Sequence, residues 1–255
     1  MLALWDTRSD GAPSKPANEM RTRPMRIALQ PAFILHTRAY RETSLLLDIF
    51  TPEHGRISLI ARGVRTQRSK LRAILQPFSP LLISWQGKTE LMTMLAAEPQ
   101  SIPLQLQGEC LLSGFYLNEL LLRLLQKQDP HPQLYTIYHH TLLELTAAKL
   151  EQKFLRLFEK RLLDELGYGL QLKHDFLPEQ LYWFHPEQGF TRCEKADEEP
   201  SSRLFIGKSL LALATEKLDD PEVLRDVKRL MRIALSPLLG HQPLHSRKLF
   251  SGVLA

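Results

Sequence analysis

The sequence has few cysteines and no long apolar run. Only Cys110 and Cys193 occur among its 255 residues, and they lie far apart. The first residues lack the continuous apolar core of a secretory signal, and no apolar stretch approaches the roughly 20 residues that span a bilayer. We therefore expect a cytoplasmic protein with reduced cysteines and no membrane partner.

Motifs for common enzyme chemistry are also missing. The sequence has no G-x-x-x-x-G-K-[ST] loop, no dinucleotide-binding glycine pattern and no H-E-x-x-H zinc helix. His139 and His140 are adjacent, so they cannot share one face of a helix. The sequence predicts a protein without catalytic residues and without a cofactor.

A structural zinc site is not expected either. Residues 167–202 interrupt the helical pattern around them and contain His174, Asp175, His185 and Cys193. Such a site normally needs four closely paired Cys or His ligands, and no C-x-x-C pair is present. We expect a turn-rich, zinc-free insertion held together by aromatic side chains.

Positive charge is abundant but unevenly distributed. The chain carries a formal net charge of +5, with +2 in residues 1–26, +4 in residues 27–100 and −1 in the remainder. A positive field concentrated in the first part of the chain indicates a basic module more than a uniformly basic protein.

The pattern of residues 27–102 predicts a β domain that follows a disordered leader. Residues 1–26 have no periodicity and are dotted with Pro, Ser, Gly and Asn. Five short segments rich in Leu, β-branched or aromatic residues then follow, separated by turn residues such as Gly55 and Gly87. A short helical pattern lies between the third and fourth segments. This order is typical of a five-stranded OB-fold barrel.

Residues 103–255 change to helical periodicity. Four amphipathic segments recur, and the last begins with Asp220 as its N-cap and Pro221 in its first turn. The sequence therefore predicts the α+β class, with an N-terminal OB-fold barrel followed by an α-helical domain.

The most basic stretch follows the third predicted strand. Gly55 to Arg72 includes six cationic residues and no acidic one. A solvated loop is the plain interpretation; the functional one is a phosphate-binding surface, because Arg binds phosphate through its planar fork of donors. We predict DNA contacts, with Tyr40 as a base-stacking partner, from Arg38, Arg41, Arg56, Arg62, Arg65, Arg68, Lys70 and Arg72. Most other aromatic residues of this half are expected to fill the barrel core.

A second cationic group lies near the end of the chain. A solvated helix face and a second DNA contact explain it about equally well. Four of its members share one face of the last predicted helix and two follow that helix: Arg225, Lys228, Arg229, Arg232, Arg247 and Lys248.

Several segments resemble one protein family. “FILHTRAYRETSLLLDIFTPEHGRISLIARGVRTQRSKLRAILQPFSPLLISW”, “FYLNELLLRLL”, “LLDELGYG” and “SPLLGHQPLHSRKLF” are similar, in this order, to the bacterial RecO DNA-repair proteins. The resemblance runs from about Gln30 to Phe250. Many members carry a four-cysteine zinc finger after the “LGYG”-like turn. Here only Cys193 of that pattern remains and Asp175 replaces another cysteine, so the chain resembles the zinc-free members.

The resemblance implies a function without covalent chemistry in the bacterial cytoplasm, at the nucleoid. RecO-like proteins are recombination mediators that bind single- and double-stranded DNA and anneal complementary strands. With RecR, they help RecA to replace single-strand-binding protein on single-stranded DNA.

The resemblance also implies that the helical domain docks the acidic C-terminal tail of single-strand-binding protein. Such a tail needs an apolar pocket for its aromatic end and a cation for its terminal carboxylate. We choose Arg156 as the carboxylate partner because Arg can grip it through two hydrogen bonds. The predicted tail site comprises Leu120, Leu121, Leu155, Arg156, Phe158, Lys160 and Leu162. A purely structural role, in which these apolar side chains form the core of a helical bundle and the charged ones its solvated rim, explains the same pattern about as well.

Two other functions remain open at this point. An RNA-binding OB-fold protein of translation or RNA processing would show the same charge pattern in its barrel, although the helical half favours RecO. An enzyme such as a nuclease would need a cluster of carboxylates, which we do not find in the sequence.

Overall fold

The computed structural model describes residues 26–146, 151–194, 201–240 and 242–246. Residues 1–25 of the predicted leader, and Arg247 and Lys248 of the second cationic group, lie outside these ranges. The last residue of the predicted leader, Arg26, is the first residue of a strand.

The first half is a closed barrel of five strands. In chain order the strands are β1 (Arg26–Tyr40), β2 (Ser44–Thr51), β3 (Gly55–Ala61), β4 (Leu81–Gln86) and β5 (Leu91–Pro99). They pair in the order β1-β2-β3-β5-β4, and β4 closes onto β1. All pairs are antiparallel except β3 with β5. The helix α1 (Leu71–Ile74) lies between β3 and β4, so the predicted OB-fold barrel is confirmed.

Alternation along the strands sends one set of side chains into the barrel. Along β3, Ile57, Leu59 and Ala61 are buried, whereas the residues between them are half-buried on the outer face. Trp85 of β4 fills the same interior. The barrel therefore has an apolar core of its own, which holds its loops on a rigid support.

The second half is mainly helical. Its helices are α2 (Gly108–Leu124), α3 (Pro132–Glu144), α4 (Gln152–Glu165), α5 (Gly207–Ala214) and α6 (Pro221–Leu239). As predicted, Asp220 caps α6, and its carboxylate accepts a hydrogen bond from the Glu222 amide at 2.8 Å. The sequence reasoning did not predict α5.

The interruption between α4 and α5 contains a small sheet that the sequence reasoning described only as turns. Its strands are β6 (Leu181–His185), β7 (Gly189–Arg192) and β8 (Leu204–Ile206), paired antiparallel in the order β7-β6-β8. Phe184 contacts Phe190 and Phe205 through their rings, which confirms the expected role of aromatic side chains in holding this segment. These three strands contain only three to five residues each, which is too short for a strong alternation of apolar and polar residues, so the sequence reasoning did not predict them.

The outer face of the barrel packs against the helices in a second core, which is separate from the barrel interior. Phe33 and Phe50 lie on the outer face of the barrel, and their rings contact Tyr135 and Tyr138 of α3 at centroid separations of 5.3 to 6.2 Å. The expectation that most of the other aromatic residues of this half fill the barrel core is therefore wrong, because, of those described, only Trp85 does so and Phe33, Phe50 and Phe78 join the helical core. A phenylalanine on the outer face of a strand is buried here because a helix covers it.

A buried polar bridge fixes the same interface. Asn118 of α2 donates to the backbone carbonyl of Leu35 in β1 at 3.0 Å, and the Tyr138 hydroxyl donates to the Asn118 side-chain oxygen at 2.5 Å. Each of these groups would be costly to bury without a partner. The bridge therefore favours one orientation of the helices on the barrel.

Among the described helices, none combines the length and the hydrophobicity that a bilayer span requires.

Candidate nucleic-acid interface

Two loops meet at one end of the barrel. The β1–β2 turn comprises residues 41–43, and the β3–α1 loop comprises residues 62–70. The Arg65 amide donates to the Thr43 carbonyl at 2.8 Å, and the Arg65 guanidinium donates to the Arg41 carbonyl at 3.0 Å. Val64 is completely buried and anchors the β3–α1 loop in the barrel. The structure therefore brings two separate basic segments together.

The meeting of these loops produces a surface that we call the cationic end of the barrel. Its members are exposed, and no ion pair among the described residues involves any of them: Arg38, Arg41, Arg62, Arg65, Arg68, Lys70 and Arg72. Their uncompensated charge on a rigid support suits the binding of a polyanion such as a phosphodiester backbone.

The cationic end lies opposite the helical half. The helices cover the end of β3 near Gly55 and Arg56, whereas the basic loop leaves β3 after Ala61. A strand of this length separates its two ends by roughly 20 Å. The cationic end is therefore open to solvent and accessible to a long ligand.

Tyr40 lies at the cationic end but is not a free stacking surface. It is half-buried, and the Arg41 guanidinium carbon lies 5.2 Å from its ring centroid. A base that stacks on this ring would need to share it with Arg41 or displace Arg41. The stacking role of Tyr40 stays a prediction.

Two half-buried apolar side chains, Leu46 and Ile60, adjoin the cationic end, and the sequence reasoning did not include them in the candidate site. Arg38 pairs with Leu46 across β1 and β2, and Leu46 pairs with Ile60 across β2 and β3. Both apolar residues lie on the outer face, where OB-fold proteins commonly bind oligonucleotides. The available signal was an isoleucine on the polar face of an alternating strand.

Arg56 does not belong to the cationic end. Its Nε and Nη2 atoms both donate to the Leu125 carbonyl, which follows α2, at 3.1 and 3.0 Å. The Gln128 amide in turn donates to the Arg56 carbonyl at 2.9 Å. The sequence grouped Arg56 with the DNA contacts because it is basic, but its position on β3 places it against the helices.

We expect Arg56→Ala to reduce the stability of the protein without changing its DNA binding. The change leaves the Leu125 carbonyl without these two donors, which should cost about 1–3 kcal/mol in the free energy of unfolding. Urea unfolding measures the loss, and the salt dependence of DNA affinity measures the phosphate contacts. If the slope of the logarithm of the affinity against the logarithm of the salt concentration became flatter by about 0.7–0.9, Arg56 would instead bind a phosphate.

The second cationic group is divided by the structure. Arg225 lies 3.5 Å from Glu222, and both side chains are more than three-quarters exposed. Lys228 and Arg232 are also exposed on α6. These three residues remain available to an anion at the surface.

Arg229 has a structural role instead. Its guanidinium donates to the carbonyls of Ser201, Ser202 and Leu204 and to the Asp226 carboxylate, at distances from 2.7 to 3.1 Å. It also lies 4.3 Å from the Phe205 ring centroid. These contacts tie β8 to α6 and occupy the donors that the sequence assigned to DNA.

The apolar part of the predicted tail site is buried in the helical core. The five residues have at most 5% exposure: Leu120, Leu121, Leu155, Phe158 and Leu162. The apolar stripe of α4 faces α3 and α6, so the interpretation of these side chains as bundle core is correct in this structure. They can line the floor of a site but do not form an open pocket.

The two cations of the predicted tail site have different surroundings. Lys160 donates to the Glu216 carboxylate at 2.8 Å. Arg156 is only 7% exposed, and its Nη2 atom lies 2.8 Å from the Glu159 carboxylate. The Tyr116 hydroxyl donates to the same carboxylate at 2.5 Å. Arg156 is therefore held in place from within the bundle.

The insertion shows no metal cluster in its described part. Across the described ranges, no group of three His, Cys, Asp or Glu side chains is placed to hold a metal ion. Cys193 is buried, whereas His174 and Asp175 are exposed. That the protein binds no zinc stays a prediction.

Comparisons with known proteins agree with the resemblance in the sequence. Residues 25–102 match the family described as “Recombination protein O N terminal”, and residues 105–248 match “Recombination protein O C terminal”.

Three relatives carry the name DNA repair protein RecO. The protein of Coxiella burnetii (strain RSA 331 / Henzerling II) is 49% identical over 230 residues, which cover 88% of this chain and 98% of the relative. The protein of Nitrosococcus oceani is 46% identical, over 88% of this chain and 93% of the relative. The protein of Glaesserella parasuis serovar 5 is 44% identical, over 88% of this chain and 95% of the relative. These names describe DNA repair and no catalytic activity. The chain belongs to the RecO family of DNA repair proteins.

Proposed function

We propose that this chain is a non-enzymatic recombination mediator that binds single- and double-stranded DNA and anneals complementary strands. The observation that carries the proposal is the cationic end of the barrel, where seven exposed basic side chains have no ion-pair partner among the described residues. Family membership supports the DNA-repair context of the proposal.

The chemistry of annealing fits such a surface. Two DNA strands repel each other through their phosphates, and cations that neutralise both backbones reduce this repulsion. Contacts to phosphate carry no sequence information, so base pairing alone selects the partner strand. No bond in the DNA needs to break, and therefore the proposal needs no catalytic group.

An RNA-binding role remains the alternative function. The contacts available at the cationic end suit the phosphates of either nucleic acid. Binding of a DNA and an RNA oligonucleotide of identical sequence, measured side by side in the same salt, distinguishes the two. We expect DNA to bind at least as tightly as RNA, and a strong RNA preference would contradict the proposal.

The proposed mediator acts with protein partners in the bacterial cytoplasm, at the nucleoid. We expect it to work with RecR in helping RecA to replace single-strand-binding protein. The helical half would dock the acidic C-terminal tail of single-strand-binding protein. Arg156 is the proposed partner of the tail's terminal carboxylate, since a buried arginine held by Glu159 is well placed to bind an anion in a fixed geometry.

A further inference from the structure

A carboxylate lies on the same outer face of the barrel as the cationic end. The strand register places His36 of β1 beside Asp48 of β2, and Asp48 beside Ser58 of β3. We call these three residues the polar row. It lies two residues along each strand from the row that contains Leu46 and Ile60, a separation of roughly 7 Å. The face thus changes from cationic through apolar to acidic within a short distance.

Asp48 is fixed on one side and open on the other. Its Oδ1 atom accepts a hydrogen bond from the Ser58 hydroxyl at 2.7 Å. No hydrogen bond among the described residues involves its Oδ2 atom, and the Nδ1 atom of His36 lies 4.0 Å from it. The Asp48 side chain is 21% exposed, so a ligand on the outer face can reach it. A carboxylate accepts up to about four hydrogen bonds, and Asp48 therefore keeps acceptor sites for a ligand.

The order of these rows separates the backbone of a bound strand from its bases. Phosphates are attracted to the cationic end and repelled by the carboxylate of Asp48. Leu46 and Ile60 lie between the two and offer apolar surface to the bases. A single strand whose phosphates lie at the cationic end would therefore direct the edges of its bases towards Asp48.

We infer that Asp48 accepts hydrogen bonds from the Watson–Crick edges of unpaired bases, and so favours bases that carry an amino group there. The inference rests on the proposed binding of DNA at the cationic end and goes beyond it. Cytosine offers its N4 amino group, from which an aspartate can accept a hydrogen bond. Thymine and uracil have a carbonyl oxygen at the same position, which a carboxylate repels.

The contact also distinguishes a single strand from a duplex. In a duplex the Watson–Crick edge of each base is occupied by the complementary base, whereas in a single strand it is free. A base that pairs with an incoming strand therefore loses its contact with Asp48. Asp48 thus binds the substrate of annealing in preference to the product, which favours release of the finished duplex.

The test compares two fluorescent oligonucleotides of equal length, one of deoxycytidine and one of deoxyuridine. They carry the same number of phosphates and differ in the group at position 4 of the base. Anisotropy gives the affinity of each for the full-length wild type, for Asp48→Asn and for Glu42→Gln. Asp48→Asn removes the charge but keeps the size of the side chain. Glu42→Gln is the matched control, because it removes the same charge from an exposed position in the β1–β2 turn.

We expect the wild type to bind the deoxycytidine oligonucleotide about threefold to tenfold more tightly, as one charge-assisted hydrogen bond at a partly exposed site would produce. Asp48→Asn should abolish this preference, because an amide presents a donor as well as an acceptor. Glu42→Gln should strengthen the binding of both oligonucleotides equally, because it removes a charge that repels phosphates, and should leave their ratio unchanged. Thermal unfolding verifies that each variant is folded.

Three results would overturn the inference: equal binding of the two oligonucleotides by the wild type, an unchanged preference in Asp48→Asn, or an equal loss of preference in Glu42→Gln. The first of these needs no variant and therefore does not depend on the stability of Asp48→Asn. If the wild type binds both oligonucleotides without preference, the inference fails and the proposed DNA binding stands. If it binds neither, the proposed function fails as well.

Discussion

Replacing Arg62, Arg65 and Arg68 together with Ala is expected to cause the largest loss of DNA affinity. Each of these side chains is exposed at the cationic end of the barrel and can neutralise one phosphate. Each phosphate that is neutralised releases counterions from the DNA. The slope of the logarithm of the affinity against the logarithm of the salt concentration is therefore steeper by about 0.7–0.9 for each phosphate contact. The triple variant should therefore show a slope flatter by about 2–3, with an affinity about tenfold to a hundredfold lower at low salt.

The matched control replaces the same three residues with Lys. It keeps the charge but removes the planar donor fork, so the salt slope should stay close to that of the wild type. Fluorescence titrations of one oligonucleotide at several salt concentrations measure both variants. An alanine variant with unchanged affinity and unchanged slope would show that these arginines are only solvated.

The largest loss of stability is expected from Gly55→Ala. Gly55 has φ of +60°, a conformation that favours glycine, and it begins β3 directly against the backbone of Asp129. A Cβ atom there would overlap the Asp129 carbonyl, and a backbone atom cannot move aside as a flexible side chain can. We expect a cost of about 2–4 kcal/mol, which corresponds to a melting temperature roughly 5–15 °C lower.

Gly63→Ala provides the comparison for Gly55→Ala. Gly63 also has a positive φ, of +69°, but a Cβ atom at this position would meet no other atom within 4 Å. It should cost only the backbone strain, about 1 kcal/mol. Thermal unfolding of both variants separates the cost of backbone strain from the cost of the overlap with Asp129. Equal losses would mean that the close approach of the Asp129 loop to the barrel contributes nothing to stability.

Local patterns were sufficient to predict the barrel and most helices. Alternation along β3 and the cap at Asp220 are properties of a few neighbouring residues, and both recur in the structure. The helix α5 and the sheet β7-β6-β8 were missed, because elements of three to eight residues carry little periodicity.

The candidate site could be predicted only in part, since exposure depends on packing between distant segments. Arg56 and Arg62 look equivalent in sequence, yet one hydrogen-bonds Leu125 while the other is exposed at the opposite end of β3. In the same way, nothing local distinguishes Arg229, which β8 engages, from Lys228 on the same helix. A charge pattern identifies cations, but the tertiary fold decides which of them can meet a ligand.

The most direct test of the proposed function is the annealing of complementary DNA strands that are both coated with single-strand-binding protein. A fluorescence-quenching pair on the two strands reports duplex formation over time. The proposal predicts that the wild-type protein accelerates annealing, and that the triple alanine variant at Arg62, Arg65 and Arg68 does so much less. If the wild type binds these strands but duplex formation is no faster than without it, the protein is not an annealing mediator.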